Sequence, residues 1–202
     1  MNHRLLAKTA GISYLIIFFA AIFGNFFALD ALLSDPYGTV MHNSQVVRFG
    51  ILAFLITAFF DVVVAWALFE MYKDHVFTRL STYLRVMHAT IMSAAIFALP
   101  MALEQTTNDD ILLYAEAFNN MWLIGLFFFG AHLLLLARIA PMPKWIALFM
   151  TFAGIMYMAD TAAHFVLPNY VDYATIALTL VAIPSILGEM AFAFWLLIKA
   201  GK

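Results

Sequence analysis

The chain contains no cysteine, only ten basic and twelve acidic residues, and six prolines in 202 positions. Without cysteine there is no disulfide, iron–sulfur cluster, thiolate zinc site, c-type haem attachment or thiol redox chemistry. A bound metal would have to use histidine, carboxylate or carbonyl ligands. Charged residues make up 11%, against about 25% in a soluble domain. A formal net charge of −2 and a pI near 6.3 leave no basic surface for nucleic acid, so that class of function drops out. What abounds is apolar: 65% of residues are hydrophobic and mean hydropathy is +0.95, where a soluble domain has about 45–50% apolar residues. Such a chain must use lipid as part of its solvent.

A helix crossing a hydrocarbon core of about 30 Å needs roughly 20 mostly apolar residues. Leu5–Leu29, Val46–Met71, Leu80–Leu103, Ala115–Ile139, Lys144–Leu167 and Tyr173–Lys199 meet that condition. Breakers separate them, among them Ser34-Asp35-Pro36-Tyr37-Gly38, Asn108-Asp109-Asp110, Pro141-Met142-Pro143 and Pro168-Asn169. Barrel strands are excluded, because these runs far exceed roughly 10 residues and do not alternate. The fold class is therefore all-α, a polytopic bundle of six transmembrane helices, with residues 1–202 forming a single integral membrane domain. The first segment follows His3, Arg4 and Lys8, as in a secretion signal. Its apolar run from Ile12 to Leu29 exceeds the roughly 7–15 residues of a signal core, and it reads as a retained helix.

Orientation follows from the basic residues. With the N-terminus inside, Arg4, Lys8, Lys73, Arg79, Arg85, Arg138, Lys144, Lys199 and Lys202 fall at the cytoplasmic face, and only Arg48 falls outside. The opposite loops are acidic, with Asp30, Asp35, Glu104, Asp109, Asp110, Glu116 and Asp172. This is the positive-inside pattern, and it puts both termini in the cytoplasm.

Ionisable residues inside a span cost about 2.5–3.5 kcal/mol each at a helix centre, so they face the bundle interior, pair or stay neutral. At about 1.5 Å rise per residue, Asp61, Glu189, His88 and His132 lie roughly 2, 5, 6 and 7 Å to the cytoplasmic side of the midplane. Four helices thus share one polar layer. On the other side lie Asp160 at about 7 Å, Asn25 and His164 at about 12–13 Å, and Arg48 at about 17 Å. Asp160 and His164 share one helix face, with Tyr157 a turn earlier. Together with Arg48 or without it, they read as a structural pair tying the second and fifth helices. Ala182, Ser185 and Glu189 form a small-residue strip that admits a close neighbour, and Pro184 should bend the last helix beside Glu189. His88 alone reads as a helix–helix hydrogen bonder. The phenylalanine runs, such as Phe127-Phe128-Phe129, read as lipid-facing or packing residues, and the twelve methionines as flexible packing.

The motifs also carry a resemblance. Arg48-Phe49-Gly50-Ile51, Asp61-Val62-Val63-Val64-Ala65, Phe128-Phe129-Gly130-Ala131-His132, Tyr157-Met158-Ala159-Asp160 with His164, and Gly188-Glu189 followed by Trp195 resemble domain-of-unknown-function family 4386. The resemblance covers nearly the whole chain. It implies a six-helix protein of the bacterial cytoplasmic (inner) membrane and supplies no activity. The residues it carries over are Arg48, Asp61, His132, Asp160, His164 and Glu189. The family pattern more often has an amide where His88 stands.

Three chemistries fit these residues. The leading one is an intramembrane polar site that binds a metal ion, zinc above all, or a small amphipathic or lipid ligand, with metal-dependent hydrolysis as its catalytic form. His132 and Glu189, with His88, would be ligands, and Asp61 and Glu189 the candidate catalytic acids. No H-E-x-x-H motif accompanies them. Electron transfer by b-type haem would use His88 and His132 as axial ligands. A proton relay or proton-coupled carrier would use Asp61, Glu189 and His132. A non-catalytic protein whose polar residues lock helices together is the fourth reading. Membrane lipid is the expected surrounding partner, and a homo-oligomer would suit a carrier of so few helices.

Overall fold

A computed structural model describes residues 2–198 and 200. The protein is all-helical, and 88% of it is helix. Among the described residues, six helices are long and apolar enough to cross a membrane: α1 (His3–Ser34), α3 (Ser44–Tyr72), α4 (Thr78–Ala102), α5 (Asn108–Ile139), α6 (Lys144–Val166) and α7 (Ala174–Ile198). A short helix, α2 (Pro36–His42), joins the first two. Lys199, the expected end of the last span, and Lys202 lie outside the described residues.

Local chemistry sets the boundaries. Asn2 caps α1 by accepting a hydrogen bond from the Arg4 amide. Asp35 interrupts the helix and caps α2 through the Gly38 amide, with Pro36 in its first turn, where the missing N–H costs nothing. Thr107 caps α5 through the Asp110 amide, and Asp109 and Asp110 then sit favourably in the first turn of the helix dipole. Two irregularities fall inside spans. α1 widens into a π-helical stretch over Gly24–Leu29, where Asn25 Nδ2 donates to the Ala21 carbonyl at 2.9 Å. α4 loosens at Ile96–Phe97, because Pro100 has no N–H to offer the carbonyl of Ile96.

The spans close into a ring. Each packs on the next in the order α1, α3, α4, α5, α6, α7, and α7 returns to α1. Small residues let the backbones approach, as expected where lipid supplies no hydrophobic drive between helices. A Cβ on Gly154 would stand 2.6 Å from the Gly130 carbonyl oxygen, and one on Gly188 would stand 3.1 Å from the Met150 amide. The α1–α7 seam is uneven. At one end Arg4 donates to the carbonyls of Leu196, Leu197 and Ala200, Gly11 abuts Leu197, and Tyr14 packs edge-on against Phe192. Beyond Tyr14, residues of both helices line a cavity instead.

Candidate functional site

At the centre of the ring stands Arg85. Its side chain is 1% exposed, beside Asp61 and His132 at 2% and His88 at 4%. One guanidinium nitrogen donates to Asp61 Oδ1 at 2.5 Å. The other donates to the Tyr14 hydroxyl at 2.7 Å and to His132 Nε2 at 3.2 Å. The guanidinium also lies over two rings, 4.7 Å from the Tyr14 centroid and 5.1 Å from that of Phe129. His88 Nε2 approaches the second oxygen of Asp61 at 3.4 Å, so this carboxylate is shared between two partners.

The expectation that Arg85 lies at the cytoplasmic face is thus overturned. α4 begins at Thr78, so Arg85 stands about 10 Å along the helix axis from its start at 1.5 Å per residue. Its register gives it away. Thr78, Ser81, Arg85, His88, Met92 and Ala95 are buried on one face of α4, the spacing of three and four that marks an inward stripe.

His132 cannot serve as a metal ligand in this arrangement. Arginine only donates, so His132 Nε2 must accept from Arg85. Its protonated Nδ1 then donates to the Ser81 carbonyl at 3.0 Å, with Ser81 Oγ at 2.8 Å. The lone pair a metal would need is engaged, and a guanidinium occupies the direction from which the cation would come. Among the described residues no group of three or more His, Asp or Glu side chains stands close enough to hold a metal ion. The zinc arrangement of His132, Glu189 and His88 does not fit. Nor does haem. The Phe129 ring packs against both imidazoles, with centroids 4.9 Å from His88 and 5.9 Å from His132, and each Nε2 is turned to another partner.

Glu189 and Tyr157 lie beside the Arg85 cluster, the Tyr157 ring edge-on to Phe129 with centroids 5.6 Å apart and the Tyr157 hydroxyl donating to Glu189 Oε1 at 3.4 Å. They share a cavity with Asp61, His88, Tyr14 and Phe129. It has a volume of about 400 Å³, and its walls are predominantly apolar. From this polar floor it runs between α1 and α7 to Asn25, Asp30 and Leu33 on one side and Leu178 on the other. The π-helical stretch of α1 lies along it, as π-bulges often lie at functional sites. His132 lines none of it.

The other carried-over residues form a separate cluster or none. Asp160 and His164 do not bond each other. Asp160 accepts from the Tyr170 hydroxyl at 2.6 Å, and His164 Nε2 pairs with the Asn120 Oδ1 at 2.9 Å. Burial and the neighbouring Asp160 carboxylate push the Tyr170 phenol above its usual range, so it remains the donor. The tie runs from α6 to α5 and the α6–α7 connection, not to α3. Arg48 is exposed and belongs to neither cluster. Sequence reasoning missed Tyr14, Ser81, Arg85 and Phe129, all of which lie at the heart of the polar layer.

A closed ring of apolar spans around a charged centre defines a multi-pass helical membrane protein. More particularly, the chain belongs to the family described as Domain of unknown function (DUF4386), whose model matches residues 9–200. It is also similar to an uncharacterized protein of Archaeoglobus fulgidus, with 27% identity over 166 residues, covering 79% of this chain and 89% of that relative. No solved structure matches it significantly.

Proposed function

We propose that the protein binds a small amphipathic molecule inside the membrane, with its polar head on the floor made by Asp61, His88, Tyr157 and Glu189 and its apolar part between α1 and α7. The cavity carries this reading. Its volume of about 400 Å³ lies within the roughly 300–1,000 Å³ of small-molecule sites, which are apolar with a few convergent polar groups. Because α1 and α7 are joined at one end only, a ligand can enter sideways from the bilayer. Arg85 and His132 line none of the cavity and support the floor from behind Asp61. On the distribution of the other basic residues, we place both termini in the cytoplasm and the protein in a cytoplasmic membrane.

The test is to compare organic extracts of the purified protein and of an Ala182→Phe variant by mass spectrometry. Ala182 lines the cavity, and phenylalanine there fills it. One amphipathic species should be retained near stoichiometry by the natural chain and lost from the variant. Identical lipid profiles from both proteins overturn the proposal.

A further inference from the structure

The charges along the cavity specify the head group. Its carboxylates are Asp61 on the floor, Glu189 beside it and Asp30 at the far end, and His88 is the basic side chain that lines it. Asp61 is already neutralised by Arg85 at 2.5 Å, and Arg85 itself does not line the cavity. Glu189 is different. Among the described residues it has no ion-pair partner, and its contact is the long 3.4 Å bond from Tyr157. An acid in a membrane interior needs a proton or a cation, and the guanidinium nearby, Arg85, is already bonded to Asp61, Tyr14 and His132.

Aromatic side chains line the cavity that holds this acid, and one of them, Tyr157, bonds it. Tyr14, Phe18, Trp122, Phe129 and Tyr157 all line the cavity. Arg85 already rests against the rings of Tyr14 and Phe129, so these rings accept a cation in this setting. An acid framed by aromatic rings is the chemistry that recognises ammonium groups. An anionic head, whether phosphate or carboxylate, would meet unneutralised carboxylate with the guanidinium hidden behind Asp61.

We propose that the ligand is a lipophilic cation, an amine or quaternary ammonium carrying an apolar tail, whose charge pairs with Glu189 among the aromatic side chains. This rests on the amphipathic-ligand reading above and narrows it. A proton and the ammonium compete for the same carboxylate. Tyr14 of α1, Asp61 of α3, Arg85 and His88 of α4, and Tyr157 of α6 are the titratable and charged groups that surround it.

The experiment uses the full chain in phosphatidylcholine nanodiscs, with three radiolabelled probes of matched tail: decyltrimethylammonium, decanol and decanoate. Binding in excess of empty nanodiscs is read by equilibrium dialysis. Decyltrimethylammonium should bind saturably, at least tenfold tighter than decanol, with decanoate weakest, and Glu189→Gln should abolish the preference for the cation over decanol. The probe series on the natural chain stands without the variant, should Glu189→Gln fail to fold. Saturable binding of decanol or decanoate as tight as the cation overturns the ammonium assignment and leaves an amphipathic site. No saturable binding of any probe overturns both.

Discussion

At the residue scale, the decisive interaction is the buried pair of Arg85 and Asp61. Two charges withdrawn from water are tolerable because they bond each other and gain further partners, Tyr14 and His132 for the arginine and His88 for the carboxylate, which leaves the Arg85 Nε as the unpaired donor of the pair. Removing one charge leaves the other uncompensated, at a cost of about 3–5 kcal/mol. Asp61→Asn should therefore lower the thermal unfolding midpoint markedly, whereas Asp61→Leu combined with Arg85→Met should recover most of the loss, since an apolar replacement of a buried pair is often near neutral. Equal losses in both proteins would show that the pair is not coupled. His132→Ala removes the acceptor of Arg85 and the donor to the Ser81 carbonyl and should cost about 1–3 kcal/mol. Extracts of that variant should retain the bound molecule, because His132 lines no part of the cavity. Much of this layer is legible in the sequence: Asp61, His88, His132 and Glu189 stand out as charges at similar depth in apolar runs. Arg85 escapes because arginine near a helix end is expected to reach the interface, and its depth depends on where α4 starts. Tyr14 and Phe129 escape because an aromatic residue in a span is ordinary, and only its neighbours reveal what its ring supports.

At the element scale, the helices are held by close backbone contact and by their ends. The facing glycines of α5 and α6 leave no room for a side chain, with a Cβ on Gly154 falling 2.6 Å from backbone oxygen. Gly154→Val should push these helices apart and cost about 1–3 kcal/mol, as overpacking does, read as a lower unfolding midpoint in detergent. A midpoint unchanged from the natural chain would mean that the two helices do not meet so closely. Arg4 caps the far end of α7 through three carbonyls. Arg4→Met should raise hydrogen exchange of the last turn of α7 selectively. The spans themselves are plain in the sequence because length and hydropathy suffice to define them. The continuation of α1 through Ser34, the π-helical stretch and the separate helix α2 are not, since each depends on local hydrogen bonding around Asn25, Asp35 and Gly38 that composition does not encode.

At the scale of the whole molecule, the ring order follows the chain order, so of the six joints between neighbouring spans the α1–α7 seam is the one whose spans are not consecutive in the chain. A chain without cysteine makes its orientation easy to test. With both termini inside, Asp109→Cys should react with a membrane-impermeant maleimide in intact cells, and Lys73→Cys only after permeabilisation; the reverse pattern would invert the molecule. The seam also has a consequence in time. During synthesis α1 emerges before the other spans described and α7 after them, so Tyr14 lacks Phe192, the α7 ring it packs against, until α7 leaves the translocon. Until then the wall that α7 gives the cavity is missing, and Asp61 and His88 at its floor face an open notch. The finished protein keeps part of that notch as the cavity between α1 and α7, at the joint of the ring that translation closes after the others.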